Sequence, residues 1–365
     1  MTILVWSGFF LLVLCVVLLD LGVFHRHAHV VTTREALTWT CVWISLALAF
    51  NVFVYFRYES MHRHAEVAAE QRDTDWKESK YPVTGREAAT QFFTAYLLEE
   101  SLSADNIFVI AMIFAYFGIP LKNQHRLLFW GILGAIVLRG MMIGLGATLI
   151  HQFEWITYVF GALLLVSAAK MMIADTDDID PERNLMIRLV RRLYPVTPDM
   201  SSGKFFVRID QRLVATPLFL ALILVETSDV LFAIDSIPAV FAVTHDPFLV
   251  FTSNIFAILG LRSMYFVLAG FMHQFRYLKT SLVFVLAYVG VKMILARLHP
   301  IPNLVSLAII AGILAVGIIA SLAVASRERR QGRVGMGTAE SVTSDGRTSA
   351  TSGPAEIPEG NTLAD

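Results

Sequence analysis

Runs of about twenty or more apolar residues recur along most of this chain, and nothing else constrains its fold as tightly. They fall at about residues 3–24, 36–56, 89–118, 127–150, 154–174, 212–243, 248–272, 277–298 and 303–325. As helix, each is long enough to cross roughly 30 Å of hydrocarbon. A helix also satisfies its own backbone hydrogen bonds where no water can reach. Composition agrees: 56% of the 365 residues are hydrophobic and 16% are charged, whereas about a quarter of a soluble domain is charged. The sequence therefore predicts an all-α polytopic membrane protein with about nine transmembrane helices. It excludes a soluble enzyme, a disordered chain and a collagen-like one.

The charge balance narrows the partners. A net charge of −1 leaves no positive excess for a nucleic acid, so the partner to expect is the lipid bilayer. Cys15 and Cys41 both fall inside apolar runs and read as small buried hydrophobes, not a disulfide framework. The first run lacks a basic leading segment and a small-residue cleavage site, so it reads as a retained span.

Nine spans place the termini on opposite sides. The turns near 25–35, 119–126, 175–212 and 273–279, with the tail, hold 18 Lys and Arg; the other side holds seven. Positive charge stays in the cytoplasm, so the expectation is an inner or plasma membrane protein with an external N-terminus and a cytoplasmic C-terminus. The predicted organisation is a two-helix segment over 1–60 and a polar loop over 61–88. A three-helix unit over 89–175 and a cytoplasmic loop over 176–211 come next. A second three-helix unit covers 212–298, a final helix 299–326, and a disordered cytoplasmic tail 327–365.

The two three-helix units repeat one another. Ser-Ala-Asp-Asn-Ile-Phe-Val-Ile at 103–110 aligns with Thr-Ser-Asp-Val-Leu-Phe-Ala-Ile at 227–234, pairing Asp105 with Asp229. Downstream, Arg139 matches Arg262 and Lys170 matches Lys292. Three helices per copy require the second copy to enter from the opposite side. Two inverted three-helix repeats are the architecture of many secondary transporters.

Ionisable groups at bilayer depth cost roughly 2.5–3.5 kcal/mol each and seldom occur without a role. The candidates are the acids Asp20, Glu99, Glu100, Asp105, Glu226, Asp229 and Asp235 and the bases Arg139, Lys170, Arg262 and Lys292. If the four bases act as structural counter-charges, a surplus of acids remains to be protonated or neutralised by a bound cation. Glu226 and Asp229, three residues apart, share a helix face. Asp235 lies six residues beyond Asp229, but Pro238 is expected to open the helix and turn it toward the same cavity. With Asn106 and neighbouring hydroxyls this donor set is all oxygen, which suits Mg²⁺, Ca²⁺ or Mn²⁺ over Zn²⁺. No histidine falls mid-span. Asn254, early in the seventh span, reads as hydrogen-bond glue between helices.

Glu99-Glu100-Ser-Leu-Ser-Ala-Asp105-Asn106-Ile-Phe-Val and Glu226-Thr-Ser-Asp229-Val-Leu-Phe-Ala-Ile-Asp235-Ser-Ile-Pro-Ala resemble the two signature segments of the TerC family of integral membrane proteins. The resemblance covers about 1–325 and includes segments around Asp20, Asn254 and Lys292. It implies divalent-metal export, manganese above all, and an association with tellurite resistance. It also implies that Glu99, Asp105, Glu226, Asp229 and Asp235 coordinate the metal, with Glu100, Asn106 and Asp20 as weaker candidates.

The expected function is therefore a secondary transporter exporting Mn²⁺ or a similar divalent cation as substrate, with no permanently bound cofactor. No P-loop is present, so proton exchange is the economical driving force. The alternative is a membrane scaffold or sensor of a metal- or tellurite-stress complex that transports nothing. No His-Glu-x-x-His, Gly-x-Ser-Gly or Gly-x-Gly-Asp motif supports an enzyme.

Overall fold

The computed structural model describes residues 3–22, 32–70, 84–153, 155–173, 184–197, 203–209, 212–268, 277–296, 299 and 301–344. In chain order it has ten helices and one hairpin: α1 (Ile3–Gly22), α2 (Thr33–Glu70), α3 (Gly85–Tyr116), α4 (Leu121–Gln152), α5 (Ile156–Ile173), α6 (Leu185–Leu193), β1 (Phe206–Ile209), β2 (Arg212–Ala215), α7 (Pro217–Phe241), α8 (Pro247–Leu268), α9 (Leu278–Leu295) and α10 (Asn303–Ser344). Each expected apolar run coincides with one of the helices. Among the described residues, seven are long and apolar enough to cross a membrane: α2, α4, α5, α7, α8, α9 and α10. α3 has the length but carries Glu99, Glu100 and Asp105 in its middle.

The two predicted repeats, α3–α5 and α7–α9, interlock. α3 packs on α8 while α4 packs on α7, and the two first helices and the two third helices also meet. Sequence neighbours such as α4 and α5 touch far less. The core is consequently built between the units, with Phe92, Leu98, Phe241 and Phe248 buried inside it.

The elements differ from expectation in five places. The 61–88 segment begins as helix, because α2 runs on to Glu70; Arg63 pairs with Glu59 and His62 with Glu66 at the i,i+4 spacing. That extension also secures α3, since Gly85 N donates to Glu59 Oε2 at 3.1 Å. The 176–211 loop contains α6 and half of a hairpin, and the next span begins at Pro217. α10 continues to Ser344 through a segment expected to be disordered, where Ser326–Gln331 are mostly helix formers extending an existing helix. Pro238 does not open α7; it sits in the last turn, and Ala242 N bonds its carbonyl at 3.0 Å. Finally, Cys15 and Cys41 are exposed on α1 and α2 and not buried; hydrocarbon solvates apolar side chains, so an apolar run need not turn inward.

Candidate functional site

Arg139 lies in the middle of α4 and is 1% exposed. A buried guanidinium offers five donors and no acceptor, and here they reach three other helices. Nε and NH2 donate to Asp229 Oδ2 and Oδ1 of α7 at 3.2 and 2.7 Å. NH1 forms an ion pair with Glu99 Oε1 of α3 and donates to Asn254 Oδ1 of α8 at 3.4 Å. Asn254 spends its own amide on Val250 O at 3.1 Å, which aims its oxygen at the arginine. Helix-to-helix glue is what it provides.

Several buried oxygens beside this network are left without a partner. Glu99 is fully buried, receives Ser236 Oγ at 3.4 Å on Oε1, and has no hydrogen-bond partner on Oε2. Glu226 sits one turn before Asp229 on α7, and its Oε2 is also buried without a partner. It lies against Gly134 of α4, where any Cβ would overlap the carboxylate. Asn106 of α3 is buried with an unpartnered Oδ1. Asn106, Ser228 and Asp229 supply the polar wall of a cavity of about 20 Å³ between α3, α4, α7 and α8, enough for one water or one desolvated ion.

The five expected ligands do not converge. Glu99 and Asp229 meet through Arg139, and Glu226 adjoins them. Asp105, half-buried six residues beyond Glu99, has Lys279 of α9 as its cationic neighbour. Asp235 accepts from Ser167 Oγ of α5 at 2.5 Å, with Lys170 as its charged neighbour. Helical periodicity is the reason: six residues rotate a side chain by about 240°, so an unbroken α3 or α7 cannot present both acids to one point. Among the described residues, no three His, Cys, Asp or Glu side chains are gathered closely enough to hold a metal ion.

The remaining candidates scatter. Glu100 turns toward α8, where an added Cβ on Gly260 would lie 3.6 Å from its Oε1. Arg262 is half-buried on α8 and Lys170 is exposed. Lys292 is buried on α9, and its Nζ has no hydrogen-bond partner, so the counter-charge expected of it is not met. The Asp20 side chain lies outside the described residues. Neither Ser167 nor Gly134 carries a signal in the sequence. A serine or glycine inside a span is ordinary, and only the acid opposite gives either one meaning.

The sequence profile of the integral membrane protein TerC family matches residues 84–330, which contain every one of these contacts. The chain belongs to the TerC family. Among its relatives, a Myxococcus xanthus protein named "Uncharacterized membrane protein STKORF319" is 47% identical over 317 residues, 87% of this chain and 91% of that one. The Escherichia coli (strain K12) protein named "Putative membrane-bound redox modulator Alx" is 43% identical over 329 residues, 90% of this chain and 97% of that one. No solved structure matches the chain.

Proposed function

We propose that this TerC-family protein is a secondary transporter that exports divalent cations, Mn²⁺ foremost, across the cytoplasmic membrane. The observation that carries the reading is the set of buried, unpartnered oxygens beside the Arg139 network. Glu99 and Asp229 both pair with the one guanidinium, Glu226 lies one turn from Asp229, and Glu99 Oε2, Glu226 Oε2 and Asn106 Oδ1 are all buried and unpartnered. Those oxygens suit a hard divalent cation. The preference for Mn²⁺ comes from the family resemblance.

In this reading Arg139 is a tethered counter-ion. It neutralises Glu99 and Asp229 while the site is empty, and an entering cation competes with it for the same oxygens. Asp105 and Asp235, on either side along α3 and α7, would receive the ion on its way in and out. Rocking of one repeat against the other would expose the site alternately. Proton exchange would drive the cycle, with the acids returning protonated.

The name of the Alx relatives mentions redox modulation. In this chain Cys15 and Cys41 are free thiols on two different helices, so the proposal rests on the carboxylates. A second reading has its own support. The closed Glu99–Arg139–Asp229 network holds α3, α4 and α7 together, as a membrane scaffold or sensor that moves nothing would require.

Purified protein in liposomes, challenged with Mn²⁺, Ca²⁺, Mg²⁺ and Zn²⁺ at two pH values, separates the two. Transport requires Mn²⁺ flux that Asp229→Asn abolishes in a protein that still purifies as a single species. Equal flux in that variant defeats the site. Absence of flux for every metal leaves the scaffold reading, and flux indifferent to an imposed pH gradient removes proton coupling.

A further inference from the structure

Between α5 and α7 the chain builds a small unit whose helix α6 carries more apolar surface than the fold covers. Asn184 caps it, accepting from Met186 N at 2.9 Å and Ile187 N at 3.3 Å. Ile187 is fully buried, and α6 packs on α7. Leu185, Leu189 and Leu193, however, are 64%, 48% and 65% exposed, and Met186 is exposed beside them. At about 100° per residue these four lie in an arc roughly 100° wide that is not the arc of Ile187. Arg188, Arg191 and Arg192 fill a similar arc on the other side and are also exposed. No acidic residue occurs from Asn184 to Pro195.

Contacts made by the next few residues fix the position of α6. Thr197 N bonds Ala215 O at 3.0 Å and Ala215 N bonds Pro195 O at 2.9 Å, which ties the end of α6 to β2 just before α7. The Phe206 ring contacts those of Tyr194 and Phe219, with centroids 5.5 and 4.4 Å apart. Arg126, near the start of α4, donates to Gly203 O at 2.9 Å and lies over the Phe205 ring. α6 is therefore held at the level where two long apolar helices begin. Uncovered leucines at the edge of a span, bordered by guanidinium groups, match an amphipathic helix lying in the headgroup boundary. Arg208 and Arg212, exposed on the hairpin, extend the basic surface.

We propose that α6 is an interfacial helix that seats Leu185, Leu189 and Leu193 in the leaflet at which α7 begins and engages anionic lipid headgroups through Arg188 and Arg192. The partner is the anionic leaflet itself, chosen by the wholly basic polar arc and by the continuity of α6 with membrane-spanning helices.

The test uses the full chain with Cys15→Ser, Cys41→Ser and Leu189→Cys, labelled at the new thiol with an environment-sensitive fluorophore. It is reconstituted in phosphatidylcholine vesicles with or without phosphatidylglycerol. Nitroxide groups on the lipid chains should quench the probe strongly only when phosphatidylglycerol is present. Arg188→Gln with Arg192→Gln should lower the docking equilibrium constant roughly 30-fold, at about 1 kcal/mol per basic residue beside an anionic leaflet. Arg188→Lys with Arg192→Lys should restore docking, which separates loss of charge from loss of fold. Equal quenching in both vesicles overturns the headgroup recognition. Quenching in neither, or disulfides between copies through the unlabelled thiol, overturns lipid docking altogether.

Discussion

Arg139 of α4 and Asp229 of α7 face each other through two hydrogen bonds, at 3.2 and 2.7 Å, across the boundary between the two predicted repeats. Both residues stand out in the sequence as repeat landmarks, yet each belongs to a different copy. Their pairing therefore joins the two predicted repeats to each other. Two parallel donor bonds into one carboxylate fix direction as well as distance, and Glu99 binds the same guanidinium from a third helix.

Removing the arginine should hurt more than removing either acid. Arg139→Gln leaves two buried carboxylates without a counter-charge, and breaking a buried pair from one side costs about 3–5 kcal/mol. Arg139→Lys keeps the charge but not the forked geometry, so it should fall between wild type and the glutamine variant. Pairing Arg139→Gln with Asp229→Asn should cost less than the two separate losses together. Thermal unfolding of the purified variants in detergent checks all three. A glutamine variant as stable as wild type would show that the acids are not charged in the resting protein.

Gly134 and Gly144 lie ten residues apart on α4 and should respond oppositely to alanine. A Cβ at 134 overlaps the Glu226 carboxylate, whereas a Cβ at 144 meets nothing within 4 Å. Gly134→Ala should expel the Glu226 carboxylate from its seat and depress Mn²⁺ flux. It should leave stability nearly unchanged, because the displaced group is the end of a flexible side chain. Gly144→Ala should be silent or slightly stabilising, by up to about 1 kcal/mol from helix propensity. Flux and melting measured side by side decide it. Equal flux in the two variants removes Glu226 from the transport path.

The crossing of α5 and α9 depends on two facing glycines. A Cβ on Gly161 would lie 2.7 Å from Ile294 Cγ1 and 3.1 Å from Gly290 O, and one on Gly290 would lie 3.0 Å from Gly161 O. These obstacles include backbone, which cannot step aside as a side chain can. Either alanine substitution should destabilise by about 1–3 kcal/mol through overpacking. Gly312→Ala on α10, with nothing within 4 Å, is the matched control for the melting comparison.

The spans were legible because hydropathy and length are properties of one segment at a time. Leu121–Gln152 announces itself without reference to any partner. The polar continuation of α2 past residue 56 was not legible, since bilayer-crossing arguments say nothing about a helix after it leaves the hydrocarbon. For the site, Arg139 and Asp229 stood out because a charge inside an apolar run is rare, and their low exposure agrees with that depth. Their pairing with each other was hidden, because which acid meets which base depends on how helices cross. The same geometry separates Asp105 and Asp235 from Glu99 and Asp229, although all four looked equivalent in one dimension. Ser167 carried no signal at all until Asp235 was found opposite it.

If a cation competes with Arg139 for Glu99 and Asp229, it should bind the folded protein and stabilise it against heat. A ligand at 100 times its dissociation constant adds about 2.7 kcal/mol when the unfolded chain does not bind it. Mn²⁺ should therefore raise the melting temperature in a saturable way. Asp229→Asn should abolish the rise, because it removes the negative charge of one of the two carboxylates for which the cation competes. Asn106→Ala should reduce it, because Asn106 lines the cavity and its buried amide oxygen is otherwise unpartnered. Glu87→Gln, exposed in the first turn of α3 far from Arg139, should leave it intact. A Mn²⁺ shift of the same size in all four proteins would place the bound ion elsewhere and leave the Arg139 network as a structural clasp.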